Sequence, residues 1–238
     1  MPKSPSRRPK IPRSTVNGIL RQAIAFCHEM NFHLPAFAYW SPERWKQAGH
    51  EYDEIRRNRL GWDVTDFGKG DFERIGLALF TIRNGHPKAL GERDKTYCEK
   101  LLVVGQHQVT PYHYHCKKME DIICRAGAKL CVQVYNPAKD DTLDKRAPVP
   151  VTIDGRRFEV PAGTIVELHP GESITLPSYQ YHQFWAEGGT SLVGEVSKVN
   201  DDEKDNSFLP ALKVGRFPDI RDDVPPLHYL CWEYPDAR

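Results

Sequence analysis

The sequence carries almost no excess charge of either sign, because 33 lysine and arginine residues face 32 aspartate and glutamate residues and give a formal net charge of +1. A dedicated nucleic-acid-binding protein is usually strongly basic overall or along one face. Long hydrophobic runs are also missing, and the longest, such as residues 101–104, fall far short of the ~20 residues that cross a bilayer. We therefore expect neither a nucleic-acid partner nor a membrane partner.

The sequence also has no pattern of paired cysteines and no secretory signal. Its six cysteines contain no CxxC pair and no dense spacing, which is typical of reduced thiols in the cytoplasm. The basic N-terminus MPKSPSRRPKIPRS is not followed by the ~7–15-residue apolar segment of a signal peptide. We predict a cytoplasmic protein in which residues 1–13 form a flexible basic arm.

The chain length is in the range of one large domain. A chain of 238 residues buries roughly 70–75% of the surface that its unfolded form exposes, so it needs neither a metal nor disulfides merely to fold. A metal site in such a chain would therefore indicate chemistry. Residues 14–70 have apolar side chains at helical spacing, above all between Val16 and Cys27, and predict a helical N-terminal extension.

The pattern changes after residue 70, where short runs rich in Val, Ile, Leu, Tyr and Phe alternate with turn-forming residues. Asp154 and Gly155 lie between two such runs and predict a two-residue hairpin turn, which needs positive φ at both positions. We predict a mainly β fold with a barrel over residues 71–200 and a tail, residues 201–238, that packs on the barrel within a single domain. The predicted strands cover residues 74–82, 98–104, 109–116, 121–124, 129–135, 149–153, 157–160, 164–168, 173–176, 181–186 and 191–199.

The segment GQHQVTPYHYHCKKMEDIICRAG, residues 105–127, carries the first candidate ligands. Residues two apart on a strand face the same side, so His113 and His115 direct their imidazoles to one point. Glu120 has the opposite parity, and a turn or bulge must bring it to the same face from the next strand. Gly127 is interpreted as part of the turn that follows.

A second segment, GESITLPSYQYHQFWA, residues 171–186, places His182 on an aromatic-rich strand. Three imidazoles and one carboxylate form a ligand set that suits Mn, Fe, Co, Ni or Zn in the divalent state. Such a set leaves one or two positions on the ion for water or substrate, as catalytic metal sites do. We therefore expect a catalytic rather than a structural metal.

The two segments resemble the paired motifs of the cupin superfamily. Tyr179 and Ala186 stand where cupins usually have glycine and asparagine. The resemblance implies a double-stranded β-helix, or jelly-roll barrel, with the metal ligands inside it. The matching residues are Gly105, His113, His115, Glu120 and Gly127 in the first motif and Gly171, Pro177 and His182 in the second.

Longer strings resemble the D-lyxose ketol-isomerase family within this superfamily. They are EKLLVVGQHQVTPYHYHCKKMEDIICRAG, GEVSKVNDDEKDN and VGRFPDI. The resemblance extends from about residue 96 to the C-terminus, and less distinctly through the N-terminal extension. It implies a manganese-dependent sugar isomerase that interconverts D-lyxose and D-xylulose, and in such enzymes often D-mannose and D-fructose. Co²⁺ and Zn²⁺ remain alternative ions.

Aldose–ketose isomerisation moves a proton between C1 and C2 of the sugar, while a divalent ion that binds two sugar oxygens stabilises the enediolate. The family resemblance assigns the lysine at the place of Lys118 to the catalytic site. Glu195 is the candidate general base, and Asp202 and Glu203 remain alternatives. Arg216 is interpreted as an ion-pair partner of the acidic tail or as a cap of the pocket.

Two other functions remain open at this stage. The same ligands serve Fe(II)-dependent cupin dioxygenases, and a cupin can also bind a sugar or a metal without turnover. Lys118 and the polar residues of the neighbouring strand favour a polyhydroxylated substrate over an apolar one. The preferred sugar and the choice between proton transfer and a metal-assisted hydride shift stay open. Because an open edge strand favours pairing with another chain, we expect a homodimer.

Overall fold

The protein, described by a computed structural model, is built mainly of antiparallel strands preceded by short helices. The structure describes residues 10–88, 91 and 94–237. The helices are α1 (Arg13–Glu29), α2 (Pro42–Trp45) and α3 (Asp53–Arg57), with 3₁₀ turns at Ala36–Tyr39, His50–Tyr52 and Pro210–Leu212. The strands are β1 (Lys10–Pro12), β2 (Gly61–Thr65), β3 (Leu77–Asn84), β4 (Tyr97–Val104), β5 (Thr110–His115), β6 (Glu120–Pro137), β7 (Leu143–Asp144), β8 (Val149–Ile153), β9 (Arg156–Val160), β10 (Ile165–Leu168), β11 (Ser173–Leu176), β12 (Tyr181–Lys198), β13 (Asn206–Phe208) and β14 (Asp219–Arg221).

Two 18-residue strands, β6 and β12, form the spine of the fold. They pair antiparallel over nearly their whole length. The second half of β12 also pairs with β4, and its first half pairs with β5. On the other side, β6 pairs with β10 and β11. Because each long strand contributes to both ends of the barrel, the two strands enclose a common core, and the predicted mainly β, cupin-type fold is confirmed.

The N-terminal segment packs its apolar helix face on the outside of this barrel. Val16, Leu20 and Cys27 are buried on α1 and share a cluster with Trp62 and Phe80 of the sheet. Spacing of three to four residues places these side chains on one helix face, which explains the helix and its docking together. A separate cluster of buried apolar residues fills the interior between the strands.

Two boundaries of the predicted organisation need correction. Residues 61–65 were expected in the helical extension of residues 14–70, but they form β2 and pair with β3 at the edge of the sheet, with all five residues buried. The predicted arm of residues 1–13 also contains β1, which pairs in parallel with β14 of the tail. Residues 1–9 of that arm lie outside the described residues. Local helical spacing could not reveal either pairing, because both depend on strands distant in the chain.

Gly127 does not end a strand, contrary to the sequence-based interpretation. The segments predicted as residues 121–124 and 129–135 are one continuous strand, β6, and Gly127 lies within it with φ of +81°. The register between β6 and β12 shifts beside it, between Glu187 and Ser191. Residues 188–190 of β12 lie opposite the single residue Ala128 of β6, so a β-bulge lies next to Gly127, and a bulge bends a strand without ending it. The same bend lets β6 serve both ends of the barrel.

The hairpin prediction at Asp154 and Gly155 is confirmed. Both residues have positive φ, +48° and +78°, and Ile153 pairs with Arg156 across the turn. This is the left-handed pair of conformations that a type I′ turn requires. Among the described residues, no helix combines the length and the hydropathy that a membrane crossing requires.

The bulge at Gly127 predicts a stability difference between two glycines of similar φ. A Cβ at Gly127 would collide with the carbonyl oxygen of Thr190, whereas a Cβ at Gly188 (φ of +88°) has no neighbour within 4 Å. The Gly188→Ala variant is expected to lose ~1–2 kcal/mol of unfolding free energy through conformational strain alone. The Gly127→Ala variant is expected to lose at least ~2 kcal/mol more because the backbone must also move. Equal losses in urea unfolding would contradict the bulge.

Candidate metal centre

The four predicted ligands converge inside the barrel. His113 and His115 lie on β5, His182 lies on β12 directly opposite His113, and Glu120 opens β6 after the loop formed by residues 116–119. One donor atom of each side chain lies within 4.8 Å of the others. Metal–ligand bonds of ~2.0–2.2 Å place the donor atoms of one ion up to ~4.4 Å apart. The spacing of the donor atoms in this cluster is therefore close to that around a single ion. All four residues are buried.

The tautomers of two histidines suit metal binding. Nδ1 of His113 lies 2.8 Å from the carbonyl oxygen of Pro111, and Nδ1 of His182 lies 3.0 Å from that of Gln180. A carbonyl only accepts, so Nδ1 carries the proton and Nε2 presents a lone pair. Nε2 of His182 is buried without a hydrogen-bond partner among the described residues. A buried, unpartnered lone pair among three other donors fits a divalent ion.

Burial and charge keep these ligands in their binding forms. Burial, together with the neighbouring His182 and His115, lowers the pKa of His113 well below its usual value. Burial alone would raise the pKa of Glu120, but the Lys118 ammonium and His115 hold that pKa well below its usual value. Glu120 Oε1 lies 3.4 Å and 3.2 Å from Nε2 of His115 and His182. The cluster thus offers a neutral imidazole at His113 and a carboxylate at Glu120.

A buried ammonium joins this cluster to Glu195. Lys118 is 2% exposed, and its Nζ lies 2.8 Å from Glu120 Oε2 and 2.6 Å from Glu195 Oε1. Burial alone would lower the pKa of Lys118, but the two carboxylates raise it well above its usual value. Lys118 therefore remains a hydrogen-bond donor. Glu120 directs one oxygen to the histidines and the other to Lys118.

A second buried lysine contacts Glu195 from the other side. Lys100 Nζ lies 3.3 Å from Glu195 Oε1 and 2.7 Å from Asn200 Oδ1. Burial would raise the pKa of Glu195, but Lys100 and Lys118 lower it, so the side chain is a carboxylate. Ser197 Oγ lies 3.3 Å from the same oxygen, Oε1. The contacts from Lys100, Lys118 and Ser197 therefore all go to the same oxygen of Glu195, Oε1.

The two alternative bases occupy different places. Asp202 lies at the same cavity as the cluster, where the Arg216 guanidinium and the Lys100 ammonium lower its pKa against the effect of burial. Glu203 is half exposed, forms an ion pair with Arg59 and faces a different surface depression. The structure therefore brings Glu195 and Asp202 to the cluster and leaves Glu203 outside.

Three of the four ligands, His113, His115 and Glu120, line one cavity together with both lysines and Glu195. Phe184, which shares a strand face with His182, forms part of its apolar wall together with Leu79 and Phe208. The tyrosine between the two β5 histidines, Tyr114, instead packs against Tyr181 and hydrogen-bonds to Asp141. The cavity therefore combines buried charges with apolar walls, as small-molecule sites do.

The structure places Lys100 and Arg216 at the cavity, where the sequence left their roles open. Lys100 has the same strand parity as the buried Cys98 and Leu102 of β4, which is a weak signal for an inward-facing side chain. Arg216 forms ion pairs with Asp202, as expected of a partner in the tail, and with Asp63 of β2. The pairing with Asp63 depends on the unpredicted strand β2.

Tyr179, which replaces the usual cupin glycine, adopts the left-handed conformation with φ of +63°. Its ring is half exposed and packs at 5.5 Å on Tyr114. Its backbone N–H donates to the carbonyl oxygen of His115. The turn that leads into β12 therefore keeps its shape without glycine.

A second group of candidate ligands, Cys131, Glu167 and Glu187, lies on another face of the barrel. Lys129 Nζ lies 2.8 Å from Glu167 Oε1 and 3.3 Å from Glu187 Oε2. This ammonium already forms ion pairs with both carboxylates. The other seven histidines of the chain lie outside both groups, and they are His28, His33, His50, His86, His107, His169 and His228.

Comparison with known proteins identifies relatives over nearly the whole chain. The D-lyxose isomerase family model matches residues 11–234. A D-lyxose/D-mannose isomerase of Serratia proteamaculans is 47% identical over 224 residues, which cover 93% of this chain and 96% of the relative. A D-lyxose/D-mannose isomerase of Escherichia coli O157:H7 is 45% identical over 230 residues, which cover 95% of this chain and 99% of the relative.

Solved structures of lower sequence identity share the fold. L-ribose isomerase of Acinetobacter sp. DL28, in complex with L-ribose, is 14% identical with a TM-score of 0.57, and the match covers 91% of this chain and 100% of that chain. L-ribose isomerase of Cellulomonas parahominis with L-psicose is 17% identical with a TM-score of 0.55, over 90% of this chain and 99% of that chain. At these identities the likeness concerns the fold alone.

The donor set predicts that His182 is required for metal binding. The His182→Ala variant is expected to lose more than ~100-fold in Mn²⁺ affinity, because it removes a ligand whose geometry the barrel fixes. Titration calorimetry and metal analysis after dialysis measure this loss. The matched control is His169→Ala, an exposed histidine outside the cluster. Unchanged metal content in His182→Ala would refute the assignment.

Proposed function

This chain belongs to the D-lyxose isomerase family, and from that premise we propose that it interconverts D-lyxose with D-xylulose and D-mannose with D-fructose. The protein is a sugar isomerase, and the relatives of Serratia proteamaculans and Escherichia coli O157:H7 carry D-lyxose and D-mannose in their names. The observation that carries the proposal is the buried link, through Lys118, between a cluster of four candidate metal ligands and the Glu195 carboxylate.

His113, His115, Glu120 and His182 are the residues proposed to hold the metal ion. Mn²⁺ is the proposed ion, and Co²⁺ and Zn²⁺ suit the same nitrogen and oxygen donors. When bound, a divalent ion would supply Lewis-acid polarisation to the carbonyl end of the sugar. The remaining chemistry belongs to the residues around it.

Glu195 is the proposed general base. Isomerisation requires a group that removes a proton from one sugar carbon and returns it to the neighbouring one. Glu195 lines the cavity, and its two lysine neighbours lower its pKa, so the side chain is in the carboxylate form that can accept a proton. Its Oε1 is held by Lys100, Lys118 and Ser197, which leaves Oε2 for the proton.

Lys118 is proposed to position the carboxylates of Glu120 and Glu195 rather than to accept the proton from the sugar. Its Nζ contacts Glu120 Oε2, Glu195 Oε1 and, at 3.4 Å, Asn200 Oδ1, and these contacts occupy the three protons of an ammonium. It therefore fixes the distance between the ligand carboxylate and the base. As a cation it also limits the repulsion between the two carboxylates and lets both stay ionised.

The lining of the cavity favours a sugar over the substrates of cupin dioxygenases. Two ammonium groups, a guanidinium and two carboxylates beyond the ligand set face the same space. The carboxylate oxygens among them retain lone pairs to which several hydroxyls can donate, whereas an apolar substrate would displace water from these polar groups without replacing its hydrogen bonds. A polyhydroxylated substrate satisfies them.

Two broader proposals concern assembly and location. We propose a homodimer because β9, at the end of the sheet, pairs only with β8 among the described residues, and an open edge invites a second strand. Light scattering of the purified chain tests this proposal. We also propose a cytoplasmic location, supported by six cysteines that are all unpaired.

The reaction is tested by adding single metals to chelated protein and following D-lyxose and D-mannose. The expected result is Mn²⁺-stimulated formation of the ketose without oxygen uptake, and deuterium from ²H₂O in the sugar if Glu195 carries the proton. Oxygen consumption would contradict an isomerase. Ketose free of deuterium would instead indicate a hydride shift and overturn the role of Glu195.

The role of Glu195 predicts a selective loss in a conservative variant. Glu195→Gln preserves the shape of the side chain but cannot accept the proton, so kcat is expected to fall ~10²–10⁴-fold. Metal content is expected to stay unchanged. The matched control Glu203→Gln alters an exposed carboxylate outside the cavity and is expected to retain full kcat. Near-normal kcat in Glu195→Gln would contradict Glu195 as the general base and would favour Asp202 in that role.

A further inference from the structure

Arg216 presents a buried nitrogen without a protein partner to the cavity. Its side chain is 9% exposed, and Nη2 lies 2.6 Å from Asp63 Oδ2 and 3.3 Å from Asp202 Oδ2. Its other terminal nitrogen, Nη1, is buried and has no hydrogen-bond partner among the described residues. The two carboxylates thus fix the guanidinium from one side and leave the other side unused.

A buried charged donor such as Arg216 Nη1 costs free energy unless a bound molecule accepts a hydrogen bond from it. Leaving a buried charged group unsatisfied costs more than the ~1–3 kcal/mol of a neutral one. Native proteins rarely leave such groups unpaired, and the exceptions are frequently functional. Thr110, which lines the same cavity, also has a buried Oγ1 without a partner. Two unpaired groups in one cavity indicate a polar ligand there.

A chain of contacts locates Arg216 relative to the ligand cluster. Glu120 contacts Lys118, Lys118 contacts Glu195, and Glu195 contacts Lys100. Lys100 Nζ then lies 4.0 Å from Asp202 Oδ1, and Asp202 contacts Arg216. Five successive side-chain contacts therefore separate Arg216 from Glu120. Thr110 is three residues from His113 along β5, which corresponds to ~10 Å in a strand.

We propose that Arg216 and Thr110 bind hydroxyl groups at the end of the open-chain sugar remote from the reacting carbons, and so determine which sugars are accepted. The inference rests on the proposed function, because it places C1 and C2 beside the four ligands. Arg216 Nη1 donates to the oxygen at C4 or C5, and Thr110 Oγ1 contacts a second hydroxyl. Both are specificity-determining residues that take no part in the proton transfer.

The test combines residue changes with removal of single hydroxyls from the sugar. Arg216→Lys keeps a positive charge beside Asp63 and Asp202 but loses the second arm of the guanidinium fork. Thr110→Val preserves shape and removes only the hydroxyl. Arg74→Lys, at an exposed arginine outside the cavity, is the matched control. Each protein is assayed with D-lyxose, 4-deoxy-D-lyxose and 5-deoxy-D-lyxose, and thermal unfolding confirms that it is folded.

For D-lyxose, kcat/KM of Arg216→Lys is expected to fall ~10–100-fold, mainly through KM, as for the loss of a charge-assisted hydrogen bond. With the deoxy sugar that lacks the contacted hydroxyl, the variant and the unmodified protein are expected to be equally active. If the effects of Arg216→Lys and of removing the hydroxyl do not add, the arginine contacts that hydroxyl directly. Additive losses with both deoxy sugars, or normal kinetics of Arg216→Lys and Thr110→Val, would overturn the inference.

Calorimetry with D-arabinitol, the non-reacting alditol of D-lyxose, separates this inference from the proposed function. The expected result is weaker binding to metal-loaded Arg216→Lys than to unmodified protein or to Arg74→Lys. If the unmodified protein isomerises neither sugar but binds the alditol through Arg216, the proposed function fails and the inference is supported. If the alditol binds Arg216→Lys with undiminished affinity, the inference fails even where D-lyxose is isomerised.

Discussion

The structure depends on one buried positive charge, the ammonium of Lys118, held between the carboxylates of Glu120 and Glu195. Two carboxylates in a dry interior repel each other, and without a cation one of them would take up a proton. A buried ion pair adds little stability overall, but removal of one partner leaves an uncompensated charge that costs ~3–5 kcal/mol. The Lys118 ammonium therefore lets the proposed ligand Glu120 and the proposed base Glu195 stay ionised side by side.

The pairing of β6 with β12 makes this arrangement possible. Glu120 lies opposite Ser197, and Glu195 lies opposite Ile122, two residues further along each strand. Residues two apart face the same side, so the pairing brings both carboxylates to the interior. A register slip of one residue would turn Glu195 outward. The bulge beside Gly127 lets the same two strands bend and continue into the other end of the barrel.

The ligands could be predicted from the sequence because their signal is local. His113 and His115 share a face by strand parity, and the hairpin at Asp154 and Gly155 follows from two residues. Contacts that depend on long-range pairing could not be predicted. The distance from Lys118 to Glu195 depends on the register of β6 and β12. The sequence around a glycine such as Gly127 does not distinguish a bulge from a turn. Arg216 is fixed by Asp63, on a strand that resembled part of a helical extension.

The central claim is that one divalent ion and the Glu120–Lys118–Glu195 chain share a single cavity. Anomalous diffraction from crystals grown with Mn²⁺ measures this directly. The account predicts one strong peak within bonding distance of His113, His115, His182 and Glu120 Oε1, with Lys118 Nζ still between Glu120 Oε2 and Glu195 Oε1. A peak at Cys131, Glu167 and Glu187 instead, or a Lys118 displaced from Glu195 when the metal is bound, would contradict it.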